Sequence, residues 1–563
     1  LPKNIKKEMY PLIAANERGF VQGMLRPKIK LRGEADGSSF INRVKNWSYG
    51  IMALCIASQL IFFWSAANLT ALVYVLLTWV IFCVYFLNAA MLKNYPFSSF
   101  IVLGYTATQF YFPLLFITLE AKPLVFNLNR PYEVFLHSFL AFLILLAAHW
   151  VYRFLPRQSN RGSGSYLKLA GYFRAPDATQ LWMMGLLGLA ANVYVFLFST
   201  TIGTSVTGGA LDKAIQAFLP FSYAPYFIPF AALYGTDKPL AKQTIPLLIS
   251  FTVALFIISI IRNSRGAFMV GFTSIGFSYL LGLLLGMFQP PKIALKPVLM
   301  AVAGFWFITG PLADLGTAMV IVRGERNDIP KSELIALTLE AYKDKRAIAL
   351  RRMEDRAFES DWDERYLDNL FTARFSNIKF NDASLEQAAI IGNNNPAMRK
   401  FSVDYVWGAL PAPLLKIVKP DVDKEMLYAT SFGDYIYSLA GGGTAVLGGF
   451  RSGHFAGSGM AAFGWWYLAI LVVAIIPAFL LFDKLSYTTK LVSADGQYFK
   501  YKLNLSMCGL IALTSIFQFL PCESVVNPLT FLLRGYLQML LLYLVIFQVT
   551  SLAVQLIKRF KLI

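Results

Sequence analysis

Residues 134–155 read VFLHSFLAFLILLAAHWVYRFL, and Arg153 is their only charged residue. A helix needs about 20 apolar residues to cross the hydrocarbon layer of a bilayer. This run has that length and is apolar on most of its surface, so it reads as a membrane span. Working outward, similar runs lie near 47–67, 69–92, 97–119, 180–200, 220–235, 244–262, 267–288, 297–318, 460–482, 503–521 and 529–555. Together they make about twelve spans. Pro220, Pro225 and Pro229 interrupt the 220–235 run, which suits a broken or re-entrant segment covered by protein or water.

Composition points the same way. Of 563 residues, 56% are hydrophobic and only 15% are charged, against about 25% in ordinary soluble proteins. Mean hydropathy is +0.53. A soluble globule lacks polar surface at this composition, and a disordered chain needs low hydrophobicity. The basic start has no apolar core and does not read as a secretory signal peptide. Cys55, Cys83 and Cys508 sit in apolar runs and Cys522 follows Pro521, with no CxxC pair. They read as small packing residues.

The net charge of +19 is unevenly spread. Lys and Arg cluster in 1–46, 153–174, 238–242, 292–296, 484–502 and 558–561. With twelve spans, these clusters and both termini share one side, and such a bias marks the cytoplasm. The segments assigned to that side hold 27 Lys and Arg against 8 Asp and Glu, which is the whole excess. The charge therefore faces anionic inner-leaflet lipid, and no nucleic-acid partner is expected.

The expected fold is an all-α polytopic membrane protein. It divides into a basic cytoplasmic segment at 1–46, spans one to nine at 47–318, a large periplasmic loop domain at 319–458, and spans ten to twelve with a short tail at 459–563. The loop domain reads as mainly helical, with a helix from Glu333 to about Phe358 and turn-rich stretches after it.

Chemistry-bearing residues cluster at a few places. Arg262-Asn263-Ser264-Arg265-Gly266 sits at a span mouth on the side where arginine is least expected. Two guanidiniums there suit bidentate binding of a phosphate or pyrophosphate; snorkelling to the headgroups is the competing reading. Arg451-Ser452-Gly453-His454 runs into Phe455-Ala456-Gly457-Ser458-Gly459 and then Gly464-Trp465-Trp466-Tyr467. An imidazole can accept a proton from a sugar hydroxyl near neutral pH, and the glycines suit close approach of a bulky substrate. An interfacial histidine ahead of an aromatic belt is the competing reading. Arg323 and Arg326 lie close to a span exit. Arg534 lies inside the apolar start of the last span, where it needs a partner such as Asp314 or a substrate phosphate.

Other motifs read as structural. Asp361-Trp362-Asp363 and Asp421-Val422-Asp423 are short acidic strings more in keeping with surface acids than with a cation site. His137 and His149, in one span, suit packing or a hydrogen bond. No Walker, Rossmann, GxSxG or HExxH string occurs in a suitable context.

A dozen spans, Asn263-Ser264-Arg265-Gly266-Ala267 opening a span, a large late loop, and a His-Gly-rich string entering an aromatic span together resemble the Wzy-type O-antigen and exopolysaccharide polymerases. The related O-antigen ligases share this plan. The resemblance implies a C-type glycosyltransferase-like architecture in the bacterial inner membrane, with the active site facing the periplasm. It implies transfer of a growing glycan from undecaprenyl pyrophosphate to a lipid-linked repeat unit, with no cofactor and no metal. Arg265, with Arg262, would hold the pyrophosphate, and His454 would act on the acceptor hydroxyl. Arg323, Arg326, Arg451 and Arg534 join them as candidate phosphate-binding residues. A Wzz-like chain-length regulator and a flippase are the partners the family implies. Ala456 stands where the ligase pattern has a polar residue, which favours polymerase over ligase. A lipid-linked oligosaccharide flippase or other transporter is the alternative, although the chain shows no two similar halves.

Overall fold

The computed structural model describes residues 10–11, 37–155, 166–195, 215–236, 240–261, 265–289, parts of 299–310, 311–322, 329–357, 362–369, 371–492 and 499–560. The described chain is predominantly helical. Among the described residues, five helices are long and apolar enough to cross a membrane: Ala66–Tyr85, Pro96–Leu119, Pro131–Phe154, Trp466–Asp483 and Asn527–Arg559. The protein is therefore membrane-embedded.

Two other expected spans are shorter and one is interrupted. Ala178–Val193 and Pro311–Ile321 are shorter apolar helices. The 220–235 run folds as 3-10 turns over Leu219–Tyr234, with Pro225 and Pro229 inside and non-helical geometry at Phe230. Proline removes backbone donors and excludes a regular α-helix. This run packs closely on the 178–193 helix: a Cβ at Gly188 would lie 2.1 Å from the Ser222 backbone nitrogen.

The 503–521 run is not one continuous helix. It begins in an antiparallel hairpin, Ser486–Val492 with Phe499–Leu505, whose β-branched and aromatic residues favour strand. Two one-turn helices follow, Met507–Ile511 and Leu513–Phe517. Their apolar residues face protein: Leu510, Leu513, Ile516 and Phe517 are buried. A Cβ at Gly104 would lie 1.7 Å from the Phe517 carbonyl oxygen, so the contact requires glycine.

The helix Ile378–Ile391 and the helix Phe455–Phe463 pack on each other and on the start of the 131–154 helix. A Cβ at Gly457 would lie 2.3 Å from the Ser384 carbonyl carbon. Asn381 donates to Ser138 Oγ at 3.0 Å, and Asp382 accepts from the backbone N–H groups of Asn129 and Arg130. Asp382 also holds the buried Lys379 at 2.8 Å. A carboxylate at these first N–H groups satisfies donors the helix cannot. The late part of the 319–458 insertion is thus built into the bundle by buried polar contacts.

Candidate functional site

The structure brings three of the seven sequence-derived site residues, Arg451, His454 and Arg534, to one region. Arg265 opens the helix Arg265–Leu284. Arg262, Arg323 and Arg326 lie outside the described residues.

His454 is the N-cap of the 455–463 helix, and its Nδ1 accepts the Ala456 N–H at 3.2 Å. That bond assigns the proton of the neutral ring to Nε2. Nε2 lies 2.9 Å from the Gln109 side-chain amide. The amide oxygen is the acceptor that suits an Nε2–H, and the network decides the amide's orientation. Gln109 reaches this point because residues 107–111 form a π-turn. Pro113 has no N–H for the Gln109 carbonyl, and the ladder widens there.

His454 is 1% exposed, and burial, with the nearby His137, depresses its pKa to about 3. Both nitrogens are committed to the protein. In this arrangement His454 anchors a helix start and offers no open lone pair to a hydroxyl. The neighbouring glycines serve the same packing. A Cβ at Gly433 would lie 2.4 Å from the Arg451 carbonyl oxygen, and one at Gly459 would lie 2.7 Å from Tyr467 Cβ. The sequence expectation gave that close approach to substrate; the structure gives it to backbone and core side chains.

Arg451 is held from three directions. Its Nη1 donates to Asp434 Oδ1 and to the Val446 carbonyl, both at 3.0 Å, and its guanidinium lies 5.0 Å from the Tyr437 ring centre. Asp434 is buried and also accepts the Phe450 and Arg451 N–H groups. This pairing neutralises Arg451 and shapes the loop leading to His454.

Arg534 differs. It sits in a π-turn at Phe531–Gly535, exposed, with Nε donating to Gln538 at 3.2 Å. Asp314, proposed from sequence as its partner, pairs with Lys345 at 2.8 Å. Tyr428 lies beside Arg534: burial raises the Tyr428 pKa, and the nearby guanidinium opposes that rise. From Tyr428 a row of rings continues: Tyr405 at 5.0 Å, then Phe432, 4.9 Å from Tyr405. Tyr405 and Tyr428 are partly exposed.

The row ends at a residue that the sequence reading passed over. Glu523 Oε2 accepts the Phe432 N–H at 3.0 Å. The Glu523 backbone is fixed by Ser458 Oγ, which donates to its carbonyl at 2.7 Å, and by the Phe455 N–H on the Cys522 carbonyl. Burial raises the Glu523 pKa, the Phe432 N–H opposes that, and Asp434 and Glu364 add to the rise. The available signal was a lone acid after the apolar 503–521 run, three residues from Leu520. It was hidden because that run read as a span.

The remaining motifs are structural. Asp363 pairs with Arg365 and accepts from Asn127, while Asp423 caps the helix Lys424–Ala429. His137 bonds the buried Tyr467 hydroxyl at 2.8 Å and stacks on Trp465. Among the described residues, no group of three or more His, Cys, Asp or Glu is placed to hold a metal ion. No family model, no curated protein and no solved structure matches this chain.

Proposed function

We propose that the chain is a polysaccharide polymerase of the bacterial inner membrane. It extends a glycan carried on undecaprenyl pyrophosphate by joining it to a lipid-linked repeat unit at the periplasmic face. The observation that carries this reading is the row from Arg534 through Tyr428 and Tyr405 to Glu523. It places an exposed cation, partly open aromatic rings and a protonatable carboxyl side by side at the start of a membrane-length helix. Anionic lipid carriers need a cation near the bilayer, and sugar rings stack on aromatic faces.

In this reaction the acceptor hydroxyl oxygen bonds to the anomeric carbon of the donor glycan. The bond from that carbon to the carrier oxygen breaks, and its electron pair leaves on undecaprenyl pyrophosphate. Arg534 offsets the charge that develops there, with Arg265 and Arg262 as further candidates for the same anion. His454 and Arg451 hold the loop that supports the site. The test is the full-length protein in lipid vesicles, supplied with undecaprenyl-pyrophosphate-linked repeat units. A ladder of longer glycans is the expected product. Translocation of single units with no ladder would replace this reading with a flippase.

A further inference from the structure

We infer that Glu523 is the catalytic base, its carboxylate taking the proton of the acceptor hydroxyl while that sugar lies against Tyr405 and Tyr428. This rests on the polymerase reading above.

The reaction must remove one proton from the attacking hydroxyl, and His454, the sequence candidate, has both nitrogens engaged. Glu523 is partly buried, with Oε2 fixed on the Phe432 N–H and Oε1 meeting no donor among the described residues. One oxygen is anchored and one is open, which is what a positioned base needs. Its backbone is clamped by Ser458 and Phe455, so the carboxyl does not depend on a mobile loop.

The charged and titratable groups around it divide by role. Asp434 and Glu364 repel a charged carboxylate, and Arg451 is spent on Asp434. Tyr405 feels the Glu523 charge, and Arg534 lies beyond Tyr428. Cys522, next in the chain, is held neutral by burial, which raises its pKa to about 12. The bond changes balance: the hydroxyl proton goes to Oε1, the oxygen lone pair forms the glycosidic bond, and the carrier pyrophosphate leaves with the old bonding pair.

The test uses full-length protein in vesicles with lipid-linked repeat units, comparing wild type with Glu523→Gln and Glu523→Asp across pH. Glu523→Gln keeps an acceptor for the Phe432 N–H. It is expected to lose about 100-fold or more in chain-extension rate, with lipid-linked acceptor binding changed less than about threefold. Wild-type rate should fall as pH drops through a carboxyl pKa raised above the ordinary value, and Glu523→Gln should lose that acid limb. Glu523→Asp should recover part of the rate and restore the limb. If wild type polymerises and Glu523→Gln retains most of its rate with the same acid limb, Glu523 is not the base and the polymerase reading stands. If wild type builds no ladder, the reading itself fails. If Glu523→Gln is unfolded by thermal melting, Glu523→Ala decides: a folded Ala variant with wild-type rate and acid limb also overturns the inference.

Discussion

The region around Glu523 is built differently from the buried polar region on the 131–154 helix. Near its C-terminal end, Asp483 Oδ1 accepts the Phe97 and Ser98 N–H groups at 3.0 and 3.1 Å. Its Oδ2 accepts the Ser98 hydroxyl at 2.6 Å and the Tyr152 hydroxyl at 3.1 Å. Ser98 has given its proton to Asp483, so its oxygen accepts from His149 Nε2 at 3.2 Å. Asp483, Ser98 and His149 are each 1% exposed or less. The trio has the composition of a catalytic triad without its wiring, because the carboxylate binds the serine and leaves the imidazole unoriented. The Glu523 carboxyl, in contrast, has one committed oxygen and one that meets no donor among the described residues.

The lesson is that a closed network fixes helix ends, whereas a half-open one leaves chemistry available. Asp483→Ala breaks this comparison most strongly if the two regions are alike. It orphans four buried donors, at about 1–3 kcal/mol each when fully unsatisfied, and local relaxation will recover part of that. A loss of about 3–5 kcal/mol is expected, read as a large drop in melting temperature in detergent. Chain extension per folded molecule should stay near wild type. A stable Asp483→Ala protein with abolished extension would make this network part of the reaction.

His454→Gln gives a smaller effect with a distinct pH signature. The folded imidazole titrates at about 3 against 6.5 for the ordinary group, so the unfolded chain binds the proton first. The stabilisation from keeping the ring neutral is complete above about pH 6.5 and is lost as pH falls toward 3. Between pH 6.5 and 5 wild type should lose up to about 2 kcal/mol through this group. His454→Gln should lack that acid loss, while being slightly less stable at neutral pH from the missing cap bond, at about 1 kcal/mol. Urea unfolding at pH 7 and pH 5 reads both terms, and parallel curves for the two proteins would show that His454 titrates as an ordinary exposed group.

These regions were unequally legible in the amino-acid order. The 131–154 helix was placed within three residues because its apolar run is long. The five helices long and apolar enough to cross a membrane were all found. The break of the 503–521 run into a strand end and two short helices was not legible, because hydropathy does not separate lipid-facing from protein-facing apolar surface, and Phe517 packs on Gly104. The hairpin before it was missed among lysines that read as a cytoplasmic loop. His454 was found from its glycines, yet those glycines mark tight backbone contact. Glu523 was missed because its neighbours in space, Phe432, Tyr405 and Ser458, are remote in sequence.

Arg534→Ala sharpens the comparison at its smallest stability effect. The side chain is exposed, donates to Gln538 and lies near Tyr428, and exposed contacts of this kind change stability by about 0.5 kcal/mol or less. Melting should therefore shift little. Chain extension should fall about tenfold or more, because a cation beside a leaving pyrophosphate acts mainly in the transition state. Arg534→Lys separates charge from geometry: a lysine keeps the charge and loses the planar fork that grips two phosphate oxygens. Recovery by Lys to near wild type would mean that the carrier is held by charge alone. Full activity in Arg534→Ala would move the anion site away from this end of the 527–559 helix. In that case the open region would reduce to Glu523 and its aromatic neighbours, and the arginine at the start of the Arg265–Leu284 helix would become the next residue to change.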